Sequence, residues 1–168
     1  MRRQARREGT GRPTRYRMRE RLVSIGDDFD IEDADGNRAF HVDAKALRLR
    51  DTIVLKDVSG GELYRIRERV VRLRETMSIE RGRRRVATIQ KAFITPLRDR
   101  FTVDMADGSS WTVTGNIVDH EYTIAQGGQP IATVSKRWFR VRDTYGVEVQ
   151  PTVDHALVLA VVTAIDTI

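Results

Sequence analysis

Short stretches in which apolar and polar residues alternate follow one another along the chain, separated by turns. Phe29–Glu32 alternates, and Ala39–Val42 alternates again after the intervening Asp35-Gly36. A period of two is typical of a strand with one buried face, because successive side chains point to opposite faces. An Asp-Gly pair between two such stretches supplies the positive φ that a tight hairpin turn needs. This segment therefore predicts a β-hairpin.

The same pattern recurs along the body of the chain and predicts a mainly β fold. Five hairpins are predicted over residues 29–42, 52–66, 73–89, 101–113 and 122–134. A sixth is predicted from Phe139–Val141 and Val147–Val149 around Thr144-Tyr145-Gly146. Six hairpins make about twelve strands, and an open sheet of that size tends to curl or split. We therefore expect a closed antiparallel barrel of about twelve strands, which leaves no exposed sheet edge.

The C-terminal segment, Val153–Ile168, breaks the alternation because its central part is apolar on every side. We predict a helix from about Val153 to Ala164 or beyond, with Thr152 or Asp154 as its N-cap. Sixteen helical residues span about 24 Å, whereas the hydrocarbon core of a bilayer is about 30 Å thick. Asp166 in the last turn also argues against a membrane span. A helix that is apolar all round is a buried one, and it would fill the wide interior of a twelve-stranded barrel.

Composition changes this picture mainly at the N-terminus. The first fifteen residues carry six arginines and one glutamate, a net +5 of the formal +6 of the 168-residue chain. We predict a disordered basic tail over residues 1–15 and a single barrel domain over residues 16–168. The tail is either simply solvated or a contact for nucleic acid or anionic lipid. The absence of cysteine excludes disulfides, a thiol nucleophile and thiolate metal sites.

Several stretches, in their order along the chain, resemble the LURP-one-related family of the tubby C-terminal-like superfamily, which is related to the phospholipid scramblases. The stretches are Tyr16–Leu22, Ile25–Ile31, Asp35-Gly36, Leu55–Asp57, Gly61–Leu63, Leu73–Ile79, Val134–Trp138 and the terminal segment from Asp154 to Asp166. The resemblance implies a twelve-stranded barrel around a central C-terminal helix. It also implies a link to membranes, since tubby domains bind phosphoinositide headgroups on the barrel exterior and scramblase relatives respond to calcium. No lipid-binding residue of those relatives matches a position of this chain.

A ladder of arginines is the strongest candidate site on the predicted exterior. Arg65, Arg67 and Arg69 share one face of a strand, and Arg72 and Arg74 share a face of the next strand. If the two strands pair, these five guanidinium groups line one patch that suits phosphate, because arginine donates in a bidentate fork. The alternative is a solvated barrel face in which Glu62, Glu68 and Glu80 neutralise the arginines.

Other candidate chemistry is weak. The acidic stretch Asp33–Asn37 does not form a calcium loop of the EF-hand type, because Ile31 and Val42 occupy its first and last ligand positions. His41, His120 and His155 have no metal-ligand spacing, so structural roles or solvent exposure are expected. We identify no nucleophile elbow, phosphate-binding loop or dinucleotide fingerprint. Trp111 and Trp138 are interpreted as barrel core or girdle residues.

These observations lead to a non-enzymatic, tubby-like barrel that binds anionic phospholipid or another ligand through its exterior, without cofactor or metal. The expected location is the cytoplasm, at the periphery of a membrane. Two alternatives stay open: a nucleic-acid-binding module that uses the basic N-terminal arm, and an enzyme with a cryptic site in a barrel mouth. The sequence does not indicate the oligomeric state.

Overall fold

Strands dominate the computed structural model, which describes residues 11–19, 28–44, 52–71, 74–95 and 98–168. A 3-10 helix spans Lys136–Trp138, and one α-helix, α1, spans His155–Ile165 at the C-terminus. The strands are β1 (Thr14–Arg19), β2 (Phe29–Asp33), β3 (Arg38–Asp43), β4 (Thr52–Lys56), β5 (Glu62–Val71), β6 (Arg74–Arg81), β7 (Arg84–Thr95), β8 (Arg98–Met105), β9 (Ser110–Asn116), β10 (Glu121–Gln126), β11 (Gln129–Ser135) and β12 (Thr144–Val149).

The twelve strands form a closed antiparallel barrel. Strands β2 to β11 each pair with the strand before and the strand after them in the chain, and the ring closes where β1 pairs with β12. This confirms the predicted fold class, because every described strand has a neighbour on both sides and the sheet has no free edge.

All five predicted hairpins from residue 29 to residue 134 are confirmed. In the turn between β2 and β3, Asp33 Oδ1 accepts hydrogen bonds from the backbone N–H groups of both Asp35 and Asn37, at 3.0 and 2.9 Å. Gly36 takes a φ of 82°, which is the conformation that the Asp-Gly pair predicts. The acidic stretch is therefore a hairpin turn held by its own first aspartate.

The sixth predicted hairpin is wrong. Residues 139–143 form a loop after the 3-10 helix, and β12 pairs with β11 and β1 instead. The strand that completes the ring of twelve is the unpredicted β1, in which Thr14 and Arg15 lie opposite Val149 and Glu148. The boundary of the N-terminal tail therefore falls before Thr14, two residues earlier than predicted; residues 1–10 lie outside the described part of the chain.

Helix α1 occupies the interior of the barrel. All eight residues from Val158 to Ile165 are buried, and they pack with the inward side chains of the strands in one core. Asp154 is the N-cap, since its side chain accepts a hydrogen bond from the backbone N–H of Leu157 at 3.0 Å. Within the described residues, we find no helix with the length and apolar character that a membrane crossing requires.

The first turn of α1 is fastened to the barrel wall by a half-buried histidine. His155 Nε2 lies 3.1 Å from the carbonyl oxygen of Gln150, which only accepts, so this nitrogen carries the proton. His155 Nδ1 is then the acceptor for the Tyr16 hydroxyl at 2.8 Å. Burial lowers the pKa of His155 below its ordinary value, so the folded protein holds this ring neutral.

This arrangement predicts that stability falls as the solution becomes acidic. Below pH about 6.5 the unfolded chain takes up a proton at residue 155 that the folded chain resists. The contribution of His155 is therefore complete above that pH and is lost as the pH falls toward its lowered folded pKa. We expect His155→Asn to be less stable at neutral pH but to show a shallower decline toward pH 5, as measured by urea unfolding of both proteins at each pH. Parallel pH profiles of the wild type and the variant would contradict this prediction.

Candidate anionic-ligand surface

The arginines of β5 lie on the outside of the barrel. Tyr64 and Ile66 point inward and are buried in the core, so the alternate residues Arg65, Arg67 and Arg69 face outward. Their side chains are 35%, 43% and 48% exposed in that order. This part of the predicted ladder is therefore a single outward row, which we call the arginine face.

Two carboxylates lie among these three guanidinium groups. Arg65 donates to Glu62 at 2.8 Å. Glu80 lies opposite Arg65 on β6, and its two carboxylate oxygens lie 3.5 Å from Arg67 Nε and from Arg69 Nη2. The arginine face keeps an excess of one positive charge over these two acids. Glu68 does not belong to it, because it lies opposite the inward-facing Met77.

The structure does not place the side chains of the other two arginines of the predicted patch, Arg72 and Arg74. Arg72 lies outside the described residues. Arg74 begins β6 opposite Val71, but its side chain is outside the described part of the structure. The pairing of β5 with β6, on which the predicted patch depended, is present over seven residue pairs.

The arginine face holds hydrogen-bond donors that its own acids do not use. The Nε atoms of Arg65 and Arg67 are shielded from solvent and make no hydrogen bond, although Arg67 Nε keeps its ion pair with Glu80 at 3.5 Å. Buried donors normally find an acceptor, because an unmade bond leaves the desolvation of the group uncompensated. Guanidinium groups fixed beside a strand surface with spare donors are suited to bind the oxygens of a phosphate or carboxylate.

The three histidines occupy separate places rather than one site. His41 lies on the outside between Asp30, 2.7 Å from its Nδ1, and Asp28, 3.9 Å from its Nε2. His120 lies at the end of the barrel where α1 ends, with its Nε2 3.3 Å from Asp166. In the described ranges we find no group of three histidine or acidic side chains that could hold a metal ion.

Sequence reasoning missed a basic and aromatic segment that follows β11. Trp138 and Phe139 lie on the outside of β12 against Gly146, where an added Cβ would come within 2.7 and 2.9 Å of the two rings. Arg15 stacks over the Trp138 ring with its guanidinium carbon 4.7 Å from the ring centroid. Trp138 is thus an exterior residue, whereas Trp111 is 5% exposed and lies in the core. The signal was present in Lys136–Arg142, which combines four basic residues with Trp138, Phe139 and Val141, but the alternation within Phe139–Arg142 is also typical of a strand.

Comparison with known proteins gives consistent results. A family profile described as LURP-one-related matches residues 14–166. The uncharacterized protein YxjI of Bacillus subtilis is 24% identical over 149 residues, which cover 89% of this chain and 90% of YxjI. An X-ray structure of an Arabidopsis thaliana protein is similar in fold, with a TM-score of 0.71 and 20% sequence identity, over 96% of this chain and 94% of that one.

Proposed function

The chain belongs to the LURP-one-related family, and on this premise we propose that it is a non-enzymatic barrel protein that binds an anionic phospholipid through its exterior. The headgroup phosphate would be held by the arginine face of β5. The interior supports a binding role rather than catalysis in the lumen, because α1 fills it with apolar side chains.

The observation that carries this proposal is the surplus of fixed donors on the arginine face. Three guanidinium groups share the carboxylates of Glu62 and Glu80; Arg65 Nε has no acceptor, and Arg67 Nε has only the Glu80 oxygen at 3.5 Å. A phosphate on this face would meet the outer nitrogens of these partly exposed guanidinium groups in the forked geometry that arginine prefers. The tubby-like resemblance of the sequence supports the same ligand class.

Vesicle co-sedimentation tests this proposal. We expect the protein to bind phosphatidylcholine vesicles only when they also contain an anionic phospholipid, either a phosphoinositide or phosphatidylserine. Arg67→Gln/Arg69→Gln should bind roughly tenfold or more weakly, since each basic residue near an anionic surface contributes about 1 kcal/mol. The matched control is Arg83→Gln/Arg84→Gln, which removes the same charge from exposed residues at the turn between β6 and β7. Equal losses in both variants would show a general charge effect and contradict the assigned face.

A change at Glu80 sharpens the same experiment by reversing its sign. Glu80→Gln removes the carboxylate that lies beside Arg67 and Arg69 while it keeps the volume of the side chain. If the arginine face holds the phosphate, this variant binds phosphoinositide vesicles more tightly than the wild type. If the arginine face is only solvated and binds no ligand, neither Glu80→Gln nor Arg67→Gln/Arg69→Gln should change vesicle binding.

Deletion of the basic N-terminal residues distinguishes the nucleic-acid alternative from the proposed lipid binding. Because Thr14 and Arg15 belong to β1, the deletion should end at residue 13 and leave the barrel closed. Binding of DNA or RNA that is salt-sensitive in the full chain and absent after deletion would favour the nucleic-acid module. Lipid binding that survives the deletion would favour the proposed function.

A further inference from the structure

Exposed aliphatic side chains are concentrated at one end of the barrel. Among the described residues three large hydrophobic side chains are exposed: Val58, Val118 and Val141, at 63%, 78% and 53%. Val118 lies in the turn between β9 and β10, and Val141 lies in the loop between the 3-10 helix and β12. Strands β10, β11 and β12 are neighbours, so these two connections flank one another at the end where α1 terminates. We call residues 117–120 and 136–143 together the docking edge.

The turn that carries Val118 is held rigidly from inside the barrel. His120 takes a φ of 52°, and its ring stacks on Tyr145 with a centroid distance of 4.2 Å. The Asp166 carboxylate at the end of α1 lies 3.3 Å from His120 Nε2 and accepts a hydrogen bond from the Tyr145 hydroxyl. These contacts fix the base of the turn and leave Val118 at its tip.

The loop that carries Val141 is also held in place. Trp138 and Phe139 fasten its start against Gly146, and the Thr144 hydroxyl donates to the carbonyl of Val141 at 2.7 Å. Glu121 joins this loop to the neighbouring strand, because its carboxylate accepts from the Ser135 hydroxyl at 2.9 Å and from the backbone N–H of Lys136 at 3.1 Å. A side chain that is held out in solvent by an ordered loop loses little conformational entropy on binding.

The charge of the docking edge selects an anionic partner. Its two connections contain Lys136, Arg137, Arg140 and Arg142 against two acids, Asp119 and Asp143. A third acid, Glu121, lies beside them with its carboxylate 3.7 Å from Arg137 Nε, which leaves a surplus of one positive charge. Arg140 and Arg142 are exposed on either side of Val141, and Arg137 is 86% exposed. An aliphatic tip between two arginines is the pattern that suits a lipid interface, where the apolar group enters the headgroup region and the cations meet phosphate.

We infer that the docking edge is a membrane-contact surface, by which the barrel stands on an anionic bilayer with the C-terminal end of α1 toward the lipid. This goes beyond the proposed function, because it assigns a second surface and an orientation, although it rests on the proposed function for the class of partner. The strands that carry the docking edge, β9 to β12, lie four to six strands from β5 around the ring, so the docking edge and the arginine face are on different sides of the barrel. Strand β5 runs toward the same end of the barrel, so Arg69 is nearer to the bilayer than Arg65 in this orientation.

Two pairs of variants test the orientation on the full chain. Val141→Trp places a fluorophore at the tip of the docking edge, and Val58→Trp places one in the turn between β4 and β5 at the opposite end. We expect brominated phosphatidylcholine mixed with phosphatidylserine to quench Val141→Trp and to leave Val58→Trp unchanged relative to the wild type. Val118→Asp/Val141→Asp should bind these vesicles roughly tenfold or more weakly, since it adds two negative charges at the surface, whereas the exposed control Val58→Asp should bind normally.

The outcomes separate this inference from the proposed function. The membrane-contact role of the docking edge is contradicted if Arg67→Gln/Arg69→Gln loses vesicle binding while Val118→Asp/Val141→Asp keeps it. It is also contradicted if both tryptophan probes are quenched alike. In either case the role proposed for the arginine face is retained. If the valine variant loses binding and the arginine variant keeps it, the docking edge stands and the arginine face is overturned. A wild-type protein that binds neither phosphoinositide nor phosphatidylserine vesicles overturns both.

Discussion

Replacement of Val158 by aspartate is expected to unfold the protein. Val158 is completely buried in the second turn of α1, inside the closed barrel. A carboxylate at this position would lose its hydration without a partner, and the strands around it leave no route by which the side chain could reach water. Burial of an unpaired charge costs more than about 4 kcal/mol, which is comparable with the roughly 5–15 kcal/mol that stabilises a typical domain.

Near-ultraviolet circular dichroism and thermal unfolding would measure this effect. Val58→Asp is the matched control, because it makes the same chemical change at a residue that is 63% exposed. We expect the control to keep the tertiary signal and the wild-type melting temperature, and Val158→Asp to lose both. A Val158→Asp protein that melts with the wild type would contradict the position of α1 in the lumen.

The second large effect is expected at Gly115, in the second residue pair of β9 and β10 from the turn that joins them. Gly115 has a φ of 138° and lies opposite Tyr122. A Cβ at this position would lie 2.5 Å from the carbonyl oxygen of Glu121 and 2.7 Å from the Tyr122 Cα, both of which are backbone atoms that cannot turn aside. Gly115→Ala therefore requires the two strands to separate, in addition to the strain of a side chain at positive φ.

We expect Gly115→Ala to lower the free energy of unfolding by roughly 2–4 kcal/mol, as measured by urea denaturation. Gly108→Ala is the control, because Gly108 also has a positive φ, 88°, but an added Cβ would have open space around it. That control should lose only about 1–2 kcal/mol from backbone strain. Equal decreases in the free energy of unfolding of the two variants would mean that the close approach of β10 to Gly115 does not contribute to stability.

Much of the fold followed from local pattern. Alternation and glycine-containing turns identified five hairpins, and the apolar run after Asp154 identified the buried helix. The prediction was wrong at Phe139–Val141, where alternation is present but the residues form a loop. The rings of Trp138 and Phe139 pack on Gly146 instead, and this contact depends on the bare backbone of a strand that follows in the sequence.

The candidate surface was predicted only in outline. Alternation placed Arg65, Arg67 and Arg69 on one face, as the structure describes them. The register of β6 decided that Glu80 stands between Arg67 and Arg69, and that Glu68 is on the other side of the strand. A shift of one residue would exchange these roles, because neighbouring side chains point to opposite faces.

By itself the sequence determined the five confirmed hairpins and the terminal helix, because hairpins and helix caps are short-range structures that depend on nearby turn residues and on local periodicity. It also determined that the terminal helix is buried, since that helix has no polar face to give to water. Three features were decided only by the tertiary structure: closure by β1, the register that sets the counter-ions of the arginine face, and the placement of Val118 and Val141 at one end of the barrel. Each depends on contacts between segments that are far apart in the chain, and these exist only once the barrel has closed around its helix.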